Sequence, residues 1–196
     1  MKKILAILIL IFALQTPSQA DDIQDFQIEG MSVGDSLLDY FSKKKITNSI
    51  VNWYNDLEKN RYIAIALDSE NFKQYDFVDI FTNYGDESYK INTIAGVIYF
   101  GNYKEIRDIN HCYKKQITIA DEIKSMFKSS KKIGPLKSVF LNADPTGKSS
   151  YTDIYLTLDN GYEVVIACYD WSDDFENKKD HMYIALRSKE VDEWLN

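Results

Sequence analysis

The sequence predicts an α+β fold: an antiparallel sheet with one long helix packed across it. Three observations predict it. Strand-like segments come in runs rather than alternating singly with helices, which favours antiparallel meanders over a doubly wound parallel sheet. Residues 151–170 read as a hairpin, with Ile154, Leu156 and Leu158 alternating on one strand and Val164, Ile166 and Cys168 on the other. Between them, Asn160 and Gly161 suit a two-residue type I′ turn, which demands positive φ at both positions. Residues 103–128 place Ile106, Ile109, Tyr113, Ile117, Ala120, Ile123 and Phe127 at steps of three and four, one apolar stripe of a helix.

Taken in order, the chain opens with Lys2 and Lys3, an apolar run from Ile4 to Leu14, and small residues Ser18 and Ala20. That run is too short to span a bilayer, so residues 1–20 read as a secretory signal peptide cut after Ala20, rather than an uncleaved anchor. With no cysteine near the cut, no lipid anchor is expected after cleavage. Residues 21–196 then form a single α+β domain.

Residues 26–30 suggest a short strand. Ser32 and Asp35 have capping-box spacing ahead of a short helix carrying Leu37, Leu38 and Phe41. Lys43, Lys44 and Lys45 read as a solvated linker, and 47–58 as a second helix containing Ile50, Val51, Tyr54 and Leu57. Strands are expected over 61–67, 75–82 and 89–100, with Gly96 marking a bulge or a close approach of the crossing helix. After the long helix, 129–135 breaks the pattern and 136–141 adds a short strand. The hairpin follows, then an acidic loop from 171 to 180, a strand over 182–187, and a closing helix over 189–195 capped by Ser188. Each half reads as helix then strands, the outline of a degenerate two-half arrangement without a residue-level repeat.

Charge and cysteine usage bound the function. Asp and Glu outnumber Lys and Arg by 30 to 23, and loss of Lys2 and Lys3 with the leader takes the net charge from −7 to −9. An acidic chain is poorly suited to neutralising phosphates, so nucleic acid is not an expected partner. Two cysteines in an exported chain most simply form one disulfide, Cys112 to Cys168, worth about 4 kcal/mol for the loop it closes. Two buried, unlinked thiols are the alternative.

Catalytic motifs are sparse. Asp144-Pro-Thr-Gly147-Lys148-Ser149 has the end of a phosphate loop but Asn142 where its first glycine belongs, so it reads as a polar turn. Asp170, Ser172, Asp174 and Glu176 alternate like calcium ligands, yet position twelve is His181 and no glycine makes the sharp bend, so a solvated loop is the better reading. His111 and His181 sit in no motif. No catalytic, cofactor-binding or metal-binding residue is assigned and no cofactor is expected. A carboxylate pair assembled in space stays open as the basis of an extracytoplasmic hydrolase. Tyr151, Tyr155, Tyr169 and Tyr183 fall opposite the aliphatic faces of their strands. They form a possible ligand face for a glycan or peptide, or a surface covered by another helix. Trp53, Trp171 and Trp194 read as partial-core residues.

The segments Ile28 to Phe41, Ile94 to Tyr99, Cys112 to Gln116 and Cys168 to Ser172 resemble a group of uncharacterised small exported proteins from AT-rich marine bacteria, a resemblance that implies no activity. Gly30-x-Ser32-x-Gly34 ahead of a helix is similar to the small periplasmic lipoproteins of outer-membrane assembly, whose lipid-bearing cysteine this chain lacks. Together these readings describe a periplasmic or secreted, non-enzymatic protein that binds an envelope protein or a small ligand.

Overall fold

The structure, a computed structural model, describes residues 23–52, 61–68, 70, 72–100, 108–139, 144–174 and 178–195. The expected leader, Trp53, Tyr54, Leu57, Ile106, Asn142 and Glu176 lie outside these residues. Eight antiparallel strands form one sheet: β1 (Ile50–Val51), β2 (Tyr62–Leu67), β3 (Phe77–Asn83), β4 (Ile91–Tyr99), β5 (Lys131–Val139), β6 (Ser150–Thr157), β7 (Glu163–Asp170) and β8 (His181–Arg187). Their order is β1-β2-β3-β4-β8-β7-β6-β5. Two four-stranded meanders are thus joined through their last strands, β4 against β8. The helices are α1 (Lys43–Asn48), α2 (Ile109–Met126) and α3 (Lys189–Leu195).

One face of the sheet is covered from β2 across to β6, while edge strand β5 leaves Ile133, Leu136 and Val139 exposed. Under α2 lie Ile154, Leu156, Val164, Ile166 and Cys168. The N-terminal residues Phe26, Ile28, Met31, Leu37 and Ile46 belong to the same core as Ile65, Val78, Ile80 and Ile94. The disulfide between Cys112 and Cys168 spans 5.9 Å between Cα atoms and ties α2 to β7. One turn further on, the buried Gln116 donates from Nε2 to the carbonyls of Thr152 (2.6 Å) and Ile166 (2.7 Å). These two anchors set the rotation of α2. Its buried line runs through Cys112, Gln116, Ala120, Ile123 and Phe127, and Ile117 is 46 % exposed instead of central to the stripe.

Several local expectations are corrected. Residues 26–30 are not a strand: Ile28 and Met31 exchange both backbone hydrogen bonds across a tight turn at Glu29 and Gly30, each at positive φ. The Glu29 carboxylate accepts the amides of Lys73, Gln74 and Tyr75, so the turn is a strut for the next segment. That strut seats Tyr75 over Gly96, where an added Cβ would lie 2.2 Å from the ring. The close approach at Gly96 is therefore made by Tyr75, not by the long helix. Asp35 accepts the amide of Ser32 as a capping box requires, but a 3₁₀ turn at Leu37–Asp39, capped by Ser36, follows in place of a helix.

The three lysines are not a linker. Ser42 accepts the Lys45 amide and starts α1 there, and the expected second helix gives way to β1, paired with β2. Strand β5 begins at Lys131, earlier than expected, because a register shift between Ile133 and Leu136 absorbs Gly134 and Pro135. The hairpin loop holds three residues. The Gly161 amide bonds the Leu158 carbonyl, and Gly161 alone among the loop residues takes positive φ. A type I turn followed by a left-handed glycine is the usual three-residue solution.

Candidate functional site

The second face of the sheet carries the side chains that alternation turns away from the core. Strand register arranges them in rows. Tyr151, Tyr169, His181 and Tyr99 are cross-strand neighbours from β6, β7, β8 and β4. Tyr151 stacks on Tyr169 at 5.8 Å, and Tyr169 stacks on His181 at 4.5 Å with the planes 10° apart. Tyr99 meets His181 edge-on at 6.0 Å, and Phe77 lies against Tyr99 at 5.7 Å. The rings therefore stand up from the sheet and spend their faces largely on one another.

Beside this row, Ala95, Val165 and Ala185 form a small buried cluster on which Tyr155 and Tyr183 pack. Tyr183 also meets Tyr169 edge-on at 6.3 Å. A cavity of about 700 Å³ opens next to Tyr183 and the aromatic row. Phe77, Asp79, Val97 and Tyr99 line it from the first meander. Tyr169, Trp171, Lys178, Lys179, His181, Tyr183 and Arg187 line it from the second.

Its charges are disposed as follows. Lys178 Nζ lies 5.1 Å from the centre of the Trp171 ring, Lys179 Nζ 5.3 Å from that of Tyr99, and the Arg187 guanidinium 5.5 Å from that of Tyr183. Arg187 also pairs with Asp192 at 3.3 Å, while its Nε is buried without a partner among the described residues. Asp79 Oδ1 is likewise buried and unpartnered, and burial pushes the Asp79 carboxyl up to about 7. His181 Nδ1 lies 2.8 Å from the Lys179 carbonyl. A carbonyl only accepts, so Nδ1 carries the proton and Nε2 is left as an acceptor. Burial holds that ring below the ordinary histidine range. Burial also holds the hydroxyls of Tyr169, Tyr183 and Tyr99 above the ordinary tyrosine range, so they stay protonated.

Of the four tyrosines expected as a ligand face, Tyr169 and Tyr183 line the cavity. Tyr151 supports Tyr169 from behind. Tyr155 is turned to Asp153, donating to its Oδ2 at 3.0 Å. Burial pushes the Asp153 carboxyl up to about 6, tempered by that bond and by Arg187. The residues missed from sequence are Phe77, Asp79, Val97 and Tyr99, together with the basic groups Lys178, Lys179 and Arg187. The alternation of Phe77, Asp79 and Phe81 against Val78 and Ile80 was a usable signal for a second face. The pairing of β4 with β8 had none.

The other sequence candidates stay outside this site. Asp144 accepts from Thr146 and from the amide of Ser149, which holds it below the usual carboxylate range and folds 144–149 into a capped polar turn. Lys148 pairs with Asp174 at 2.7 Å, linking that turn to the acidic loop. Among the described residues no group of three or more His, Cys, Asp or Glu could hold a metal ion. His111 bonds Asp108 at the start of α2. Trp194 packs on Tyr62 and Phe81, at the far end of the sheet from Trp171.

Fold and site together define a class: an α+β protein with one covered sheet face and one cavity-bearing face, stapled by a disulfide. No protein-family model, curated protein or solved structure matches the chain.

Proposed function

We propose that this chain is an exported, non-enzymatic binding protein of the periplasm or the medium, which holds a small ligand in the aromatic cavity between the two meanders. The observation that carries the reading is the cavity of about 700 Å³, a volume typical of small-molecule sites, in which aromatic walls and Val97 stand beside converging charged groups. Export is supported by the leader-like residues 1–20, by the disulfide, which persists in oxidising compartments, and by the resemblance to small exported proteins. No helix among the described residues is long and apolar enough to cross a membrane.

The alternative, a carboxylate-based hydrolase, needs two carboxyl groups within roughly 10 Å. Among the described residues Asp79 is the one carboxylate lining the cavity. Burial also raises Asp153, Glu163 and Asp180; Asp153 sits four strands away, about 19 Å by strand spacing, and Asp180 spends Oδ1 on the Trp171 amide.

The test is thermal-shift screening of the purified, disulfide-intact chain from Asp21 against organic acids, sugars and aromatic metabolites. A ligand is expected to raise Tm in the wild type and to lose that effect in Val97→Phe, which fills the cavity. If no compound shifts Tm, the binding reading falls. Sequencing of the protein exported from a bacterial host is expected to begin at Asp21; an intact Met1 would remove the export half of the proposal.

A further inference from the structure

Resting on the binding reading above, we infer that the cavity selects a small organic anion, a carboxylate- or phosphate-bearing molecule with a ring-sized body. Its charged end meets Lys178, Lys179 and Arg187, and its body lies against Tyr183 and Val97.

The charge inventory runs against the rest of the chain. Three of the eleven lining residues are cations and one is an acid, whereas acids exceed bases by 30 to 23 overall. Asp192 offsets Arg187, and Asp76 and Asp180 are tied to the backbone amides of Tyr99 and Trp171, so the cations that face the cavity without a carboxylate partner among the described residues are Lys178 and Lys179, and these would draw an anion to its mouth. The donor inventory points the same way. Two ammonium groups and a guanidinium donate and cannot accept, and the hydroxyls of Tyr99, Tyr169 and Tyr183 keep their protons. Among the described lining side chains, the groups that can only accept are His181 Nε2 and the ionised Asp79 carboxylate, while the tyrosine hydroxyls can do either. A ligand rich in acceptors satisfies this set.

A cationic ligand fits poorly. The ring faces that attract cations are already faced by Lys178 on Trp171, Lys179 on Tyr99 and Arg187 on Tyr183. Asp79 offers weak competition for a cation, because its burial favours the neutral acid. The stacked row from Tyr151 to His181 has its ring faces engaged, so a long flat platform for a glycan chain is absent here.

The experiment is calorimetric titration of the disulfide-intact chain with phenyl phosphate, benzoate, benzamide, benzamidine and inorganic phosphate. Phenyl phosphate or benzoate is expected to bind at least about tenfold more tightly than benzamide or benzamidine. Inorganic phosphate is expected to be weaker than phenyl phosphate, which separates a ring-bearing acid from the bare ion. The double substitution Lys178→Gln/Lys179→Gln, at two exposed positions, should weaken the organic anion about tenfold with Tm unchanged. Arg187→Gln should weaken it further, and its own fold is checked by the protection of the disulfide from reductant. Benzamide or benzamidine binding as tightly as the anions, and lost in Val97→Phe, would overturn the charge assignment while leaving a binding cavity. Inorganic phosphate matching phenyl phosphate would overturn the ring-bearing part of the claim. Saturation by none of the probes at about 10 mM would overturn the inference and the binding reading together.

Discussion

Asp79→Asn is the sharpest probe of the cavity wall. Asp79 sits on β3 facing Ala95 of β4 in register, with Tyr99 and Val97 of β4 and Tyr183 and Arg187 of β8 around the same space. Its Oδ1 has no partner among the described residues, and burial lifts its pKa from 3.8 to about 7. A carboxyl raised in the folded state binds more protons there than in the unfolded chain. Its cost to stability is therefore absent below the unfolded value, grows as pH rises, and is complete above about 7. At 1.36 kcal/mol per pKa unit the cost is about 1 kcal/mol at pH 4.5 and about 4 kcal/mol at pH 8.5. Asparagine keeps the shape and removes the charge. Any constant penalty for its own unpaired amide cancels between the two pH values. Urea unfolding of both proteins, disulfide intact, should show the variant gaining about 3 kcal/mol relative to wild type between pH 4.5 and 8.5. That figure is an upper bound, since water in the open cavity solvates part of the charge. A difference that stays flat within about 1 kcal/mol would mean Asp79 is compensated in the fold, and the reasoning about an isolated carboxyl would be wrong.

Three further outcomes follow from the covered face. Cys112→Ser/Cys168→Ser should lower stability by about 4 kcal/mol, because the bridge closes a loop between residues 56 positions apart; denaturant unfolding at fixed pH measures it. Gln116→Leu should cost about 2–3 kcal/mol, since the carbonyls of Thr152 and Ile166 lose a buried donor, and amide exchange in β6 and β7 should rise with it. Gly96→Ala should cost about 1–3 kcal/mol by driving a Cβ into the Tyr75 ring. The penalty should shrink in Tyr75→Ala, so a double-mutant cycle that is additive would show that the ring is not what excludes the side chain.

The parts of the fold legible in the sequence share one property: their signals are local. Alternation placed β3, β6 and β7, strand-like runs placed β2, β4 and β8, and Ser188 marked the start of α3, where its Oγ accepts the Val191 amide. The disulfide was legible because cysteines in a pair have few choices. The misread stretches are those where a long-range partner overrides local preference. Residues 26–30 look like a strand, yet Glu29 is held by amides 44 to 46 positions away. Ile50 and Val51 fit a helical stripe, yet β2 offers them a ladder. Ile117 fits the apolar stripe of α2, yet Cys112 and Gln116 anchor the face that turns it outward. The candidate site divides the same way. Tyr169 and Tyr183 follow from alternation on strands that were recognised. Asp79, Val97 and Tyr99 join them only because β4 pairs with β8, across a separation that carries no pattern.

That seam is where the covered face and the cavity face depend on each other. Val97 lies opposite Tyr183, and Tyr99 opposite His181, in the β4 to β8 register. A slip of one residue would send His181 and Tyr183 into the core and Met182, Ile184 and Leu186 into the cavity. What forbids the slip is not anything in the cavity. It is the full burial of Met182 and Leu186, and the near-full burial of Ile184, against the opposite layer. At about 25 cal/mol per Å², exposing those three side chains would cost more than a row of stacked rings and cation contacts returns. The polar, aromatic side of the sheet is thus positioned by the apolar side. The chain is free to carry an uncompensated Asp79 and a partly unpaired Arg187 at the seam because the register there is secured from behind.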